Sequence, residues 1–249
     1  MRLKDKVAVI TGGAAGIGRH YCARLVEEGA CVVIGDIVDG QDFANQLSSA
    51  GRALFRFVDV SNFDSVQSLV STAVERFGGV DILVNNAAVF ASLTPRPFEE
   101  ISESEWDRVM AVNVKGVWNG ARAVRAQMQA QGAGRVINIT SPLFHKGTPG
   151  LMHYVASKGA VIGITRSLAR EMGAYGVCVN AIAPGLTLSD TLLANPAIQY
   201  QREAVMSSRA LKRDQMPKDL EGTLVFLASE ESGFMTGQTL IVDGGSALI

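Results

Sequence analysis

Short apolar runs recur along the chain, and the longer stretches between them carry apolar residues at every third or fourth position. Runs of the first kind fit strands buried on both faces; stretches of the second kind fit helices with one apolar face. Read this way, Lys6 to Ile10 is a first strand and Ile17 to Glu28 the helix after it. Cys31 to Gly35, Ala53 to Val58 and Ile82 to Asn85 follow as strands, separated by helical stretches around Phe43 to Ala50 and Asp64 to Phe77. A long helix is expected from Glu103 to about Met128, then a strand at Arg135 to Thr140 and a helix carrying Tyr154 and Lys158. Strand Val177 to Ile182, a helical segment from Pro217 to Ala228 and a last strand at Thr239 to Val242 close the series. The pattern predicts one α/β domain over residues 1–249: a doubly wound, mostly parallel, seven-stranded sheet with helices on both faces. In such a sheet ligands bind at the carboxyl ends of the strands.

The first strand runs into Thr11-Gly12-Gly13-Ala14-Ala15-Gly16-Ile17-Gly18. Glycines there let the backbone turn sharply and approach an anion, such as a pyrophosphate, at a helix N-terminus. Such turns after strands also occur with no ligand at all. Asp36 ends the second strand, about 20 residues beyond the glycines, where a carboxylate accepts both hydroxyls of an adenosine ribose and repels a 2′-phosphate. Its neighbours Gly35 and Ile37 bring no arginine to bind that phosphate, so the expected cofactor is NAD rather than NADP. A helix cap or turn residue is the structural alternative for Asp36.

Composition narrows the field. The 249 residues are 47% hydrophobic, enough for one large domain, and the net charge of −1 offers nothing to nucleic acid or an anionic membrane. No signal-like N-terminus and no membrane-spanning apolar run is visible, so a cytoplasmic location is expected. Cys22, Cys31 and Cys178 are scattered without ligand spacing, and with only His20, His145 and His153 available no metal site is expected.

The sharpest chemical signal is Tyr154-Val155-Ala156-Ser157-Lys158. Four residues apart on a helix, a phenol and an ammonium share one face. A nearby cation favours phenolate, which makes tyrosine a usable base. Tyrosine and lysine one turn apart also occur on many solvated helices. Ser141, thirteen residues upstream at the end of an apolar run, tips the balance toward a site.

With these pieces in order the chain resembles the classical short-chain dehydrogenase/reductase family over essentially all 249 residues. The matching positions are Thr11 to Gly18, Asp59-Val60, Asn85-Asn86-Ala87-Ala88, Asn113, Ser141, Tyr154-x-x-x-Lys158, Asn180, Pro184-Gly185, Gly237-Gln238 and Asp243-Gly244-Gly245. The resemblance implies a Rossmann-type fold and hydride transfer between nicotinamide and a carbinol or carbonyl carbon. Tyr154 would handle the proton, Ser141 would hold the substrate oxygen, Lys158 would lower the tyrosine pKa and bind the nicotinamide ribose, and Asn113 would bend its helix to hold a water chain. The implied cofactor contacts are Gly12, Gly16, Ile17 and Gly18 at the pyrophosphate turn, Asp36 and Ile37 at the end of the second strand, Asp59 and Val60 at the adenine edge, and Asn86 and Ala87 bordering the adenosine ribose, with Ala88 beside them. Pro184, Gly185, Thr187 and Ser189 would clamp the carboxamide. Ala88 departs from the usual glycine, adding a methyl and removing no chemical group. By the same analogy the chain is a homotetramer, with Ala156, Ser157, Gly159, Ala160 and Gly163 thinning one helix for close packing.

Three segments are expected to wall the substrate pocket: Val89 to Phe98, Pro142 to His153, and Leu186 to about Leu211. Their apolar residues are Phe90, Leu93, Leu143, Phe144, Leu151, Leu186, Leu188 and Met206, and arginine is sparse near the reacting end. A neutral hydrophobic secondary alcohol or ketone fits. Ser141, Leu143, His145, Tyr154 and Leu186 are the expected substrate contacts, while His153, next to Tyr154, points elsewhere on a helix. The wording of the chain is nearest to bacterial NAD-dependent secondary-alcohol dehydrogenases of the 1-phenylethanol type. The alternatives are a steroid or cyclic-terpenoid alcohol dehydrogenase, a 3-oxoacyl thioester reductase, which Asp36 disfavours because such enzymes usually use NADPH, and an inactive NAD-binding sensor or scaffold. The third segment shows few anchors and is expected to be the most mobile part of the chain.

Overall fold

The apolar runs pair side by side into one parallel sheet in the order β3-β2-β1-β4-β5-β6-β7. These strands are Val7–Thr11 (β1), Cys31–Asp36 (β2), Ala53–Phe57 (β3), Ile82–Asn85 (β4), Gly134–Ile139 (β5), Val177–Pro184 (β6) and Thr239–Val242 (β7). The computed structural model describes residues 1–47, 51–195 and 199–248. Because side chains alternate across a strand, each run feeds two cores at once. Ala8, Ile10, Val32, Ile34, Ile82, Val84, Ile137 and Ile139 face the layer formed by helices Gly16–Glu27 (α1) and, late in the chain, Lys218–Ala228. Val7, Val9, Val33, Leu83, Val136 and Val179 face the opposite layer. That second layer comprises α3 (Phe63–Phe77), the helix Gly116–Gln131 and the helix Met152–Met172, while the short α2 (Gln41–Leu47) lies beside β3 with Phe43 and Ala44 buried in the first core.

The chain steps outward from β1 to β2 and β3, then crosses back to β4 on the other side of β1. Adjacent loops leave in opposite directions there, and the carboxyl ends of β1 and β4 open a crevice.

The long helix expected from Glu103 to about Met128 is three pieces: α4 (Glu103–Met110), a wider π turn at Ala111–Lys115, and α5 (Gly116–Gln131). Asn113 sits in the wider turn and is fully buried. Three short helices not foreseen from the pattern border the crevice: α6 (Leu143–Lys146), α8 (Asp190–Leu193) and α9 (Gln199–Ser208); α7 is Met152–Met172 and α10 Lys218–Ala228. The end of the helix expected through Ala50 falls outside the described residues. Among the described residues no helix is long and apolar enough to cross a membrane.

Candidate active site

A cleft of about 570 Å³ runs over the carboxyl ends of the strands. At one end the turn after β1 is held by Asn86, whose side-chain amide donates to the Thr11 and Gly12 carbonyls at 3.0 and 2.8 Å. The Thr11 hydroxyl accepts the Asn86 and Ala87 backbone N–H groups in return. Asn86 thus shapes the turn with its side chain. Gly16 has φ +57°, and at Gly18 a Cβ would come 2.0 Å from the Gly12 carbonyl oxygen. Glycine at 18 is therefore demanded by packing whether or not a ligand is present. Gly12, Gly16 and Ile17 line the cleft, whereas Gly18 lies behind it as the buried support of the turn.

Asp36 ends β2 and is 8% exposed. Its two oxygens accept the Ala14 and Val38 N–H groups at 3.0 and 3.1 Å, which aims the carboxylate along the cleft. Each oxygen keeps a lone pair for a further donor. Ile37, Asp59, Val60, Ala87 and Ala88 line the same end, and the Asp59 carboxylate is oriented by the Ser61 N–H and hydroxyl. A glycine turn at a helix N-terminus followed by a buried carboxylate with free lone pairs suits the pyrophosphate and ribose of a dinucleotide.

At the other end stand Ser141, just past β5, and Tyr154 and Lys158 on the first two turns of α7, exposed by only 4%, 6% and 3%. The Ser141 hydroxyl faces the Tyr154 phenol closely enough to favour its ionised form. Phe90 stacks at a tilt on Tyr154 with ring centroids 4.7 Å apart. The Lys158 ammonium donates to the Ile139 carbonyl at 2.8 Å and lies 5.6 Å from the centre of the tyrosine ring, while the Thr140 hydroxyl fixes the Lys158 carbonyl at 2.7 Å. From helix spacing alone the ammonium should pull the phenol pKa down. In the folded protein burial dominates and pushes the Tyr154 phenol up, opposed by the neighbouring Ser141 hydroxyl. Burial also brings the Lys158 ammonium down to about 8. Both groups are held in their neutral direction by the same dry surroundings.

Asn113 is brought in by the wider turn between α4 and α5. Its side-chain oxygen accepts the Val89 N–H at 2.8 Å, and its amide donates to the Val89 carbonyl at 3.2 Å and to Ser157 Oγ at 3.1 Å. It fastens the loop after β4 to α7 beside the lysine. His153 points away from the cleft, as its helical phase requires, with Nε2 3.1 Å from Glu105 Oε1. Asn180 ties β6 to the turn before β7 through the Met235 carbonyl and the Gln238 N–H.

All three expected segments wall the substrate end. Phe90, Leu143, Leu151 and Leu186 line it; Leu93 and Leu188 are buried behind it, and Met206 lies off the wall. Phe144 turns outward over Gly159, where a Cβ would meet its ring at 2.6 Å. His145 does not reach the cleft: it is exposed, edge-on to Phe144, because the short α6 carries the pair to its outer side. Pro184, Gly185, Thr187 and Ser189 do line the wall. The third segment is better anchored than its sequence suggested. Buried Arg209 donates to the Leu186 and Arg213 carbonyls, Gln215 donates to the Val242 carbonyl, and Asn195 donates to the Ala91 carbonyl. Apart from the Arg209–Arg213 bond, these join residues far apart in sequence, so no local pattern announces them. Part of that segment, residues 196–198, lies outside the described residues.

The family model described as enoyl-(acyl carrier protein) reductase matches residues 12–247. A 3-oxoacyl-(acyl-carrier-protein) reductase of Staphylococcus epidermidis is 36% identical over 245 residues, covering 97% of this chain and 98% of the relative. The chain belongs to the classical short-chain dehydrogenase/reductase family of oxidoreductases. A 3-alpha-(or 20-beta)-hydroxysteroid dehydrogenase of Mycobacterium tuberculosis is 39% identical over 245 residues, covering 98% and 90% of the two chains. The crystal structure of levodione reductase superimposes with a TM-score of 0.90 at 30% identity, covering all of both chains. Short-chain dehydrogenase/reductases bind a nicotinamide cofactor. In this one, Lys146, Arg108 and Arg209 join the lining of the cleft as cations that no local sequence pattern announces.

Proposed function

We propose that this short-chain dehydrogenase/reductase oxidises neutral hydrophobic secondary alcohols with NAD, and reduces the corresponding ketones. The observation that carries the reading is the buried Ser141, Tyr154 and Lys158 set at one end of a single cleft whose other end holds the buried Asp36 carboxylate. When bound, NAD supplies the hydride acceptor. Ser141 and Tyr154 hold the carbinol oxygen between two hydroxyls, and Tyr154 takes its proton as the carbonyl forms. The Lys158 charge stabilises the phenolate that Tyr154 must carry to accept this proton, in surroundings dry enough to strengthen the interaction, and the transfer leaves the neutral phenol. Phe90, Leu143, Leu151 and Leu186 favour an apolar substituent on the carbinol carbon. Asp36 meets the adenosine ribose and opposes a 2′-phosphate.

The rim cations Arg108 and Lys146, together with a relative named as a 3-oxoacyl-(acyl-carrier-protein) reductase, favour a second reading, in which the substrate is a 3-hydroxyacyl thioester. A panel of 1-phenylethanol, steroid and cyclic-terpenoid alcohols and a 3-hydroxyacyl thioester, each with NAD and NADP, separates the two by reduced-cofactor absorbance. Turnover of the neutral carbinols with NAD supports the first reading; activity confined to the thioester, or a preference for NADP, overturns it. Tyr154→Phe should retain cofactor binding and lose nearly all turnover, and substantial residual activity would remove Tyr154 from its role.

A further inference from the structure

The backbone N–H of Gly16, the first residue of the twelve-residue α1, donates to Asp190 Oδ1 at 3.0 Å. Asp190 lies 174 residues further along the chain, in the wall segment that follows Pro184-Gly185. The same oxygen accepts the Thr191 N–H at 2.8 Å, and beside it the Ser189 and Thr191 hydroxyls pair at 3.1 Å. A Cβ on Gly16 would come within 2.8 Å of Thr191 Oγ1, so this segment rests directly on the glycine turn. Gly16, Ile17, Ser189 and Thr191 all line the cleft at this point.

A helix N-terminus offers unpaired N–H groups and partial positive charge to one anion. The dinucleotide proposed above would bring its pyrophosphate to that N-terminus, and the chain's own carboxylate takes the Gly16 N–H there. A single N–H does not serve two anions fully, and a carboxylate beside a pyrophosphate repels it as well. We propose that Asp190 competes with the cofactor pyrophosphate for the Gly16 N–H, so that the dinucleotide binds by displacing it and departs with its help. The proposal rests on the dinucleotide reading of the cleft. Being tethered, the carboxylate acts at an effective concentration of order millimolar or above, and lowers cofactor affinity at every cofactor concentration. Ser189 precedes Asp190 and its N–H donates to the Thr187 carbonyl at 2.9 Å, so the same exchange moves the wall segment at the nicotinamide end as the pyrophosphate arrives.

The test is calorimetric titration of the full chain and of Asp190→Asn and Asp190→Ala with NADH, ADP and adenosine. Asn keeps the side-chain shape and removes the charge; Ala removes the acceptor too. Competition predicts that Asp190→Asn tightens NADH and ADP by roughly three- to tenfold, Asp190→Ala by at least as much, with adenosine unchanged because it carries no phosphate. Unchanged or weaker binding of NADH and ADP to Asp190→Asn overturns the proposal, as does equal tightening of adenosine. If neither NADH nor ADP binds any of the three proteins, the dinucleotide reading itself falls and takes the proposal with it.

Discussion

Replacing Lys158 by methionine should make the protein more stable at pH 7 while abolishing turnover. Burial holds this ammonium at about 8 against 10.5 for a lysine in water. At about 1.4 kcal/mol for each tenfold change, the buried charge costs about 3 kcal/mol of folding stability at pH 7. Between pH 8 and 10.5 the unfolded chain holds a proton at this lysine that the folded chain has lost, so stability rises with pH across that window. The cost is complete below about 8 and is relieved as pH climbs to 10.5. Methionine fills similar volume without charge, but it deprives the buried Ile139 carbonyl of its donor, a loss of about 1 to 2 kcal/mol. The net expectation is a gain of about 1 to 2 kcal/mol at pH 7, falling by about 2 kcal/mol by pH 10. Urea unfolding of both proteins at equal concentration from pH 7 to 10 measures it, since every other titrating group cancels in the difference. A variant less stable than the parent at pH 7, or a difference independent of pH, would refute the reasoning. The expected result marks Lys158 as a group held for chemistry at the expense of the fold.

Asn113→Ala should cost about 2 to 4 kcal/mol in chemical denaturation, because it takes the side-chain partner from the buried Val89 N–H and carbonyl and one donor from Ser157 Oγ, which keeps its bond to the Tyr154 carbonyl, and turnover should fall as the loop after β4 loosens from α7. An unchanged midpoint would show that the wider turn in the helix does not depend on this side chain. Gly163→Ala, within α7 where a Cβ meets nothing within 4 Å, should raise stability by about 0.5 to 1 kcal/mol. A drop instead, with a change in mass by light scattering, would show a second subunit packed against that helix.

Much of the architecture was legible from local pattern. Strand runs such as Val7 to Ile10 and Ile82 to Asn85 are apolar on both faces, which only a sheet covered on both sides can bury. The glycine turn, Asp36, Ser141, Tyr154 and Lys158 were also legible, because their spacing on predicted strand ends and one helix face already implies proximity. The break at Asn113 was less so: the 103–131 stretch keeps a helical period, and only the buried pairing with Val89 shows why one turn must widen.

By itself, then, the sequence determined which segments become strands and helices, and which chemical groups stand at the ends of those elements, since these follow from short-range periodicity and backbone preference. Tertiary structure alone decided what those groups experience. It set burial against the lysine's influence on Tyr154, turned His145 and Phe144 away from the cleft, and fastened the Leu186 segment through Arg209 and Gln215. It also laid Asp190 on the Gly16 N–H across 174 residues of chain. Desolvation and long-range hydrogen bonds depend on atoms that no local stretch of sequence contains.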